Sequence, residues 1–247
     1  MKKALFVVFS MVMILALVAT TGCTKKETLT MATNAAFPPY EYWEGGEITG
    51  IDAEIAKEIA KELNMNLEIV DTEFGSIVAG VQSHKWDIGM AGMSITDERK
   101  ESVNFSIEYA TAKQVIIVKD GSKIVDCDWL YDHIGEFKVG VQQDTTGHIY
   151  CTDDFGEDNV LAYKTGNDAV QALITNKVDC VIIDNEPAKK YVEANAGLKI
   201  LDAEYVEESY AIAIAKDNAE LLDKVNAALD KLIKNGKVES IVKKYIK

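Results

Sequence analysis

Asp87-Ile88-Gly89-Met90-Ala91-Gly92-Met93-Ser94-Ile95-Thr96-Asp97-Glu98-Arg99 is the stretch on which the reading of this chain turns. It reads as a short buried strand, a glycine-containing turn and a helix start. Thr96 is a good N-cap, and Asp97 and Glu98 suit the positive end of a helix. Arg99 does not fit. A capping box wants Glu or Gln at that third position, and a guanidinium in the first turn opposes the helix dipole. A mobile anion bound there resolves the conflict, because Arg holds carboxylates in bidentate geometry. The Ser94 hydroxyl is near in sequence and can donate to the same anion. The alternative is an Arg99 paired with Glu98 or Glu101 on a solvated face.

The flanks of this stretch carry a repeated α/β rhythm. Residues 29–33 alternate and predict a strand. Asn34-Ala35-Ala36-Phe37-Pro38-Pro39-Tyr40 breaks it, since Pro-Pro forbids both helix and central strand. Glu44-Gly45-Gly46-Glu47 is a hairpin-like turn. A helix follows over 51–63, with Ile55, Ile59 and Leu63 at helical spacing. Then come a strand at 67–70 and a helix at 77–83, preceded by Phe74-Gly75-Ser76. This is βαβαβ order, the signature of a doubly wound α/β lobe. The rhythm then runs again. Strands are predicted at 114–118, 138–142, 160–163, 180–183 and 198–201, and helices from His148, at 167–176 and at 188–194. A strand at 210–215, an amphipathic helix at 219–234 and a last helix close the chain. Two lobes are implied.

The chain opens with Lys2 and Lys3 and an apolar run from Ala4 to Ala19. That run is short for a transmembrane helix and has signal-peptide form. It ends at Thr20-Thr21-Gly22-Cys23, which resembles a bacterial lipobox with Thr20 where Leu is usual. The resemblance implies removal of residues 1–22 and lipidation of Cys23; the alternative is a plainly secreted protein with an incidental cysteine. Residues 23–27 read as a polar tether. The formal net charge is −14 over 247 residues, and loss of Lys2 and Lys3 takes it to −16. No basic cluster offsets this, which argues against a nucleic-acid partner. Anionic lipid repels such a domain, so membrane association is expected through the anchor alone. Cys127, Cys151 and Cys180 show neither CxxC nor Cys/His metal spacing, so no metal or cofactor is expected. Cys180 sits in an apolar run and reads as a buried thiol. Cys127 and Cys151 can pair in an oxidising compartment or stay apart.

Several segments together resemble the amino-acid-binding proteins of ABC importers, known as solute-binding proteins family 3. They are residues 34–41, Gly50-Ile51-Asp52, residues 91–99, Gly140-Val141-Gln142 with Thr145-Thr146-Gly147, and the Asp184 region. The resemblance spans almost all of the mature chain. It implies two Rossmann-like α/β lobes joined by two crossover strands, as in periplasmic binding proteins of type II. An amino acid would sit in the cleft, an importer permease would be the partner, and the protein would be a monomer. Lobe 1 would comprise 28–110 plus 211–247 and lobe 2 would comprise 114–207, with hinges at 111–113 and 208–210.

By the same resemblance, Arg99 and Ser94 take the ligand carboxylate. Thr145 and Thr146 help from a strand–turn–helix junction. Asp184 holds the ammonium, with the Gly92 carbonyl as a second acceptor. Phe37 and Phe74 flank the ligand side chain, and Gln142 faces the cleft. Read singly, Asp184 is equally a helix N-cap, Thr146 an ordinary turn residue and the two phenylalanines core. Asn34 stands where relatives that bind lysine or arginine often carry an acid. A buried cation beside a neutral amide lacks its countercharge, whereas an amide can donate to and accept from an uncharged polar group. The expected ligand is therefore a polar uncharged amino acid such as glutamine or cystine, unless Glu41 or Glu73 reaches the pocket.

A periplasmic enzyme on the same fold, dehydratase-like, is the competing function. It needs a general acid or base poised in the cleft. Of His84, His133 and His148, only the last falls in a motif segment, and no Ser/His/Asp order, HExxH or phosphate loop occurs. Catalysis is not expected. A receptor ectodomain would need a transmembrane helix and an output domain.

Overall fold

Two five-stranded sheets carry the chain, one in each lobe. A computed structural model describes residues 26–246; the leader read at 1–22 and Cys23 lie outside the described residues. In the first lobe the strand Thr28–Thr33 lies second from one edge. It pairs in parallel with Asn66–Asp71 on one side and Ile88–Gly89 on the other. Ala213–Ala215 and Val103–Phe105 complete that sheet in antiparallel sense. In the second lobe the order is Val160–Tyr163, Val139–Gln142, Cys180–Asp184, Ala110–Lys119 and Leu198–Tyr210. The first three run parallel. The last two are long and antiparallel, in register from Leu198↔Lys119 to Tyr210↔Ala110 apart from a shift between Ile200 and Val206.

Local chemistry sets most of these elements. In the hairpin Glu41–Glu44/Glu47–Thr49, Gly45 and Gly46 both have positive φ, 61° and 88°, as a two-residue turn of this kind requires. The helix Ile51–Glu62 buries Ile51, Ile55 and Ile59 completely. Each such side chain contributes roughly 1.5–3 kcal/mol relative to exposure. The helices Ala219–Lys234 and Lys237–Tyr245 pack against it.

Several elements differ from the sequence expectation; the strand expected at 210–215 is confined to Ala213–Ala215 and that at 114–118 widens to Ala110–Lys119. A six-residue helix, Cys127–Asp132, stands where no helix was expected; it is capped by Asp126 and is too short to show a period. The strand expected at 198–201 runs on to Tyr210, because pairing with Ala110–Lys119 overrides its polar composition. The helix expected at 188 starts at Asn185. Pro187 is its third residue, where a main-chain N–H would have no partner in any case. The helix expected from His148 starts at Thr146, with Thr145 as its N-cap.

The carboxyl ends of parallel strands converge between the sheets. Asn34 follows Thr28–Thr33, Ala91 and Gly92 follow Ile88–Gly89, and Gln142 and Asp184 end their own strands. Ligands of open α/β sheets bind at such ends.

Candidate functional site

A small cavity lies there, lined by Asn34, Phe37, Glu41, Phe74, Ala91, Gly92, Ser94, Arg99, Gln142, Thr145, Thr146 and Asp184. The fold thus brings together all ten residues singled out from sequence and adds Ala91 and Glu41. Gly92 has φ +52°, and a Cβ there would lie 2.8 Å from the Phe37 ring, so the aromatic wall needs a glycine behind it.

Thr96 caps the helix Asp97–Ser102 as its sequence implies, accepting from the Arg99 N–H at 3.1 Å. Arg99 is buried, not on a solvated face. Its Nη1 donates to the Ser94 carbonyl at 2.7 Å and its Nη2 to the Asp144 carbonyl of the second lobe at 3.1 Å. The guanidinium lies 5.2 Å from the Phe74 ring centroid. Burial pulls its pKa down, with the charge of Glu208 the main opposing influence. The Ser94 hydroxyl donates to Glu208 Oε2 at 3.0 Å.

Asp184 occupies the N-cap position of Asn185–Ala194 but caps nothing with its side chain. Its Oδ1 accepts from the Tyr210 hydroxyl and its Oδ2 from Gln114 Nε2 at 3.0 Å. Gln114 also donates to Glu208 Oε2, at 3.0 Å. Burial, and then the Glu208 charge, push the Asp184 pKa up to about 7. Thr145 likewise turns its hydroxyl to local use, donating to the Gln142 carbonyl at 2.7 Å and accepting from the His148 N–H. Thr146 is the first residue of its helix and is buried.

Asn34 does not offer a free amide to the cavity. Its Oδ1 accepts from Gln142 Nε2 at 2.9 Å and its Nδ2 donates to the Thr72 carbonyl at 2.8 Å, so it bridges the lobes. Tyr191 makes a second bridge to the Ala36 carbonyl at 2.8 Å. Glu73 is exposed and pairs with Lys164 across the cleft mouth at 2.6 Å, outside the cavity.

The acid that reaches the pocket is Glu41. It is fully buried, and neither carboxyl oxygen meets a donor among the described residues. Asp52 lies beside it, itself fully buried. Asp52 Oδ2 accepts from the Gly92 N–H and the Tyr109 hydroxyl, both at 2.8 Å. Burial first, and then Asp52, push the Glu41 pKa well up; burial pushes Asp52 up to about 6 against those hydrogen bonds. Sequence reasoning did not place Glu208, Gln114 or Tyr210 near the site. Gln114 stands out as the polar residue beside an apolar strand run, whereas Glu208 and Tyr210, at the polar end of their strand, carry no local signal.

Cys127, Cys151 and Cys180 form no disulfide with one another, and burial raises the thiol pKa of the last two. Among the described residues no cluster of His, Cys, Asp or Glu is arranged to hold a metal, and no helix is long and apolar enough to cross a membrane.

Two α/β lobes with a polar, charged cavity at their facing strand ends define a two-lobed binding protein. Residues 29–247 match the bacterial extracellular solute-binding proteins, family 3, and the chain belongs to that family. It is 34% identical to the arginine-binding extracellular protein ArtP of Bacillus subtilis, over 89% of this chain and 86% of that one. Among solved structures it is similar to the arginine-, lysine-, histidine-binding protein ArtJ of Geobacillus stearothermophilus. The TM-score is 0.83 at 34% identity, covering 89% of this chain and 95% of that one. It is also similar to an ancestral arginine-binding protein bound to glutamine, with TM-score 0.83 and 37% identity over 90% and 98% of the two chains.

Proposed function

We propose that the protein captures a free amino acid in this cavity, a cationic one with arginine foremost, and delivers it to an ABC importer. The charge of the lining carries this reading: one guanidinium, Arg99, and two buried carboxyls, Asp184 and Glu41. The carboxylate and ammonium of an α-amino acid use Arg99 and Asp184, from opposite lobes. Glu41 is then left to meet a positive side chain, which is the countercharge that Asn34 does not supply. Ser94, its hydroxyl held by Glu208, contributes its main-chain N–H to the carboxylate, as does Thr146 at its helix start. Thr145 shapes that turn. The Gly92 carbonyl shares the ammonium. Phe37 and Phe74 give flat faces to an aliphatic stem and a guanidinium. Gln142 closes the wall through Asn34. Relatives named for arginine support the same ligand. A thermal-shift screen of the common amino acids tests it, since a bound ligand stabilises by mass action. Arginine or lysine should give the largest shift. The largest shift with glutamine would restore the uncharged reading.

The lobes, 28–110 plus 211–247 and 114–207, close on the ligand about 111–113 and 208–210. A radius of gyration unchanged by saturating arginine in small-angle scattering would count against this. The protein binds its ligand without transforming it, as a monomer. Residues 1–22 are removed and Cys23 is acylated, with 23–27 as the tether. A fatty-acid analogue should label the wild type and not Cys23→Ser.

A further inference from the structure

We infer that the buried Glu41–Asp52 carboxyl pair selects the ligand's side chain by its proton: loaded, it accepts an uncharged polar side chain, and unloaded, a cationic one. The inference rests on the amino-acid reading of the cavity given above. Glu41 Oε1, Glu41 Oε2 and Asp52 Oδ1 are buried and meet no donor among the described residues. The two carboxyl groups lie within hydrogen-bonding reach of each other. Two ionised carboxylates so placed repel, and their bare oxygens carry the full cost of desolvation. One proton held between them removes the repulsion and supplies a missing donor. The remaining negative charge belongs on Asp52, because the Gly92 N–H and Tyr109 hydroxyl already point at its Oδ2.

This division of labour has a consequence at the cavity wall. A protonated Glu41 directs its O–H to Asp52 and shows the cavity a neutral acceptor oxygen, which suits the amide N–H of a glutamine side chain. An ionised Glu41 shows a carboxylate, which suits a guanidinium or ammonium. A cation entering the site therefore expels the proton to solvent, and the total charge of the buried group is unchanged. The other groups that face the pair are Asp71 and Asp184, whose charges hold the proton on, and the phenols of Tyr40, Tyr109 and Tyr191. Asp184 titrates in the same range. It meets the ligand ammonium, however, and arginine and glutamine present that group alike.

Calorimetry of the mature protein with arginine and with glutamine tests this, from pH 5.5 to 8.5 in buffers of different ionisation enthalpy. Arginine should release about one proton more than glutamine near neutral pH. Its affinity relative to glutamine should climb by up to about tenfold per pH unit through the titration. In Glu41→Gln the difference in proton count should vanish and the affinity ratio should become independent of pH. In Asp52→Asn the difference should persist with its midpoint moved to lower pH, an outcome that a merely structural role would not produce. Equal proton counts for the two ligands in the wild type, or no glutamine binding at pH 5.5, overturn the selector and leave the amino-acid site standing. Failure of both ligands to bind overturns the reading of the site and the selector with it.

Discussion

The two charged corners of the cavity are built in opposite ways. Arg99 donates to two protein carbonyls, and one of them, that of Asp144, comes from the other lobe. Among the described residues Glu41 meets no donor and has the acid Asp52 beside it, and the whole corner of Glu41, Asp52, Gly92 and Tyr109 lies in the first lobe. The cationic corner is therefore assembled when the lobes meet, whereas the anionic corner exists in one lobe by itself. A guanidinium that meets the ligand carboxylate as the lobes come together supplies affinity. A buried carboxyl pair stores unfavourable free energy until a proton or a cation arrives, so the second supplies discrimination.

Removing the first corner should have the largest effect. Arg99→Ala leaves a ligand carboxylate in a buried site without its partner, and should weaken binding by about 2–5 kcal/mol. Near-normal affinity by calorimetry would break the comparison at its strong end.

The second corner should show itself in stability without ligand. Carboxyls titrate near 4 in an unfolded chain. In the folded protein Glu41 is pushed well up, Asp52 to about 6 and Asp184 to about 7. Between these limits the folded state binds more protons than the unfolded one, so stability falls as pH rises: the shares of Asp52 and Asp184 are lost as pH passes about 6 and about 7, and that of Glu41 as pH rises through its own raised pKa. Each group contributes a slope of up to about 1.4 kcal/mol per pH unit while it titrates. The ligand-free protein should melt at a higher temperature at pH 5 than at pH 8, and Glu41→Gln should flatten the trend. The surface acids with lowered pKa, Glu54, Glu58, Glu220 and Glu239, are ionised throughout this window and do not mask it.

A subtler change sharpens the contrast by disturbing closure alone. A Cβ on Gly75 would lie 2.1 Å from Asp144 Oδ2 and 3.1 Å from Asp144 Cβ, across the cleft. Turning the carboxyl away relieves the first contact and not the second. Gly75→Ala should therefore cost about 1 kcal/mol of binding, the low end for overpacking, and should appear mainly in the dissociation rate. The pH trend of the ligand-free protein should be untouched, because Gly75 is not part of the Glu41 corner. Least of all should come from Lys164→Ala, which removes the exposed pair with Glu73 at the cleft mouth. Its effect on affinity should stay within about threefold and disappear at high salt. A larger loss in stopped-flow kinetics would mean that the rim, and not Arg99, holds the lobes together.

Much of this protein could be read without its fold. The βαβαβ order follows from periodicity, and periodicity is local. The Thr96 cap and the misplaced Arg99 three residues on marked an inward-facing guanidinium, because helix-end chemistry is also local. The short helix Cys127–Asp132 and the extension of the strand to Tyr210 escaped that logic: one is too short to repeat and the other is held by its partner strand.

What only the tertiary structure decided is where each buried polar group spends its hydrogen bonds. Ser94 is 114 residues from Glu208, and Gln142 is 108 from Asn34. No local pattern encodes such pairs, so the sequence placed both residues at the site without naming these partners. Glu41 is the sharpest case. From sequence it and Glu73 are equal candidates to reach the pocket, and only the approach of the helix Ile51–Glu62 and the Gly92 turn buries Glu41 and leaves it facing the cavity. Sequence determined that a two-lobed protein would hold an arginine, an aspartate and two aromatic walls at one set of strand ends. Burial, which depends on every element at once, decided which carboxyl would be left without a partner.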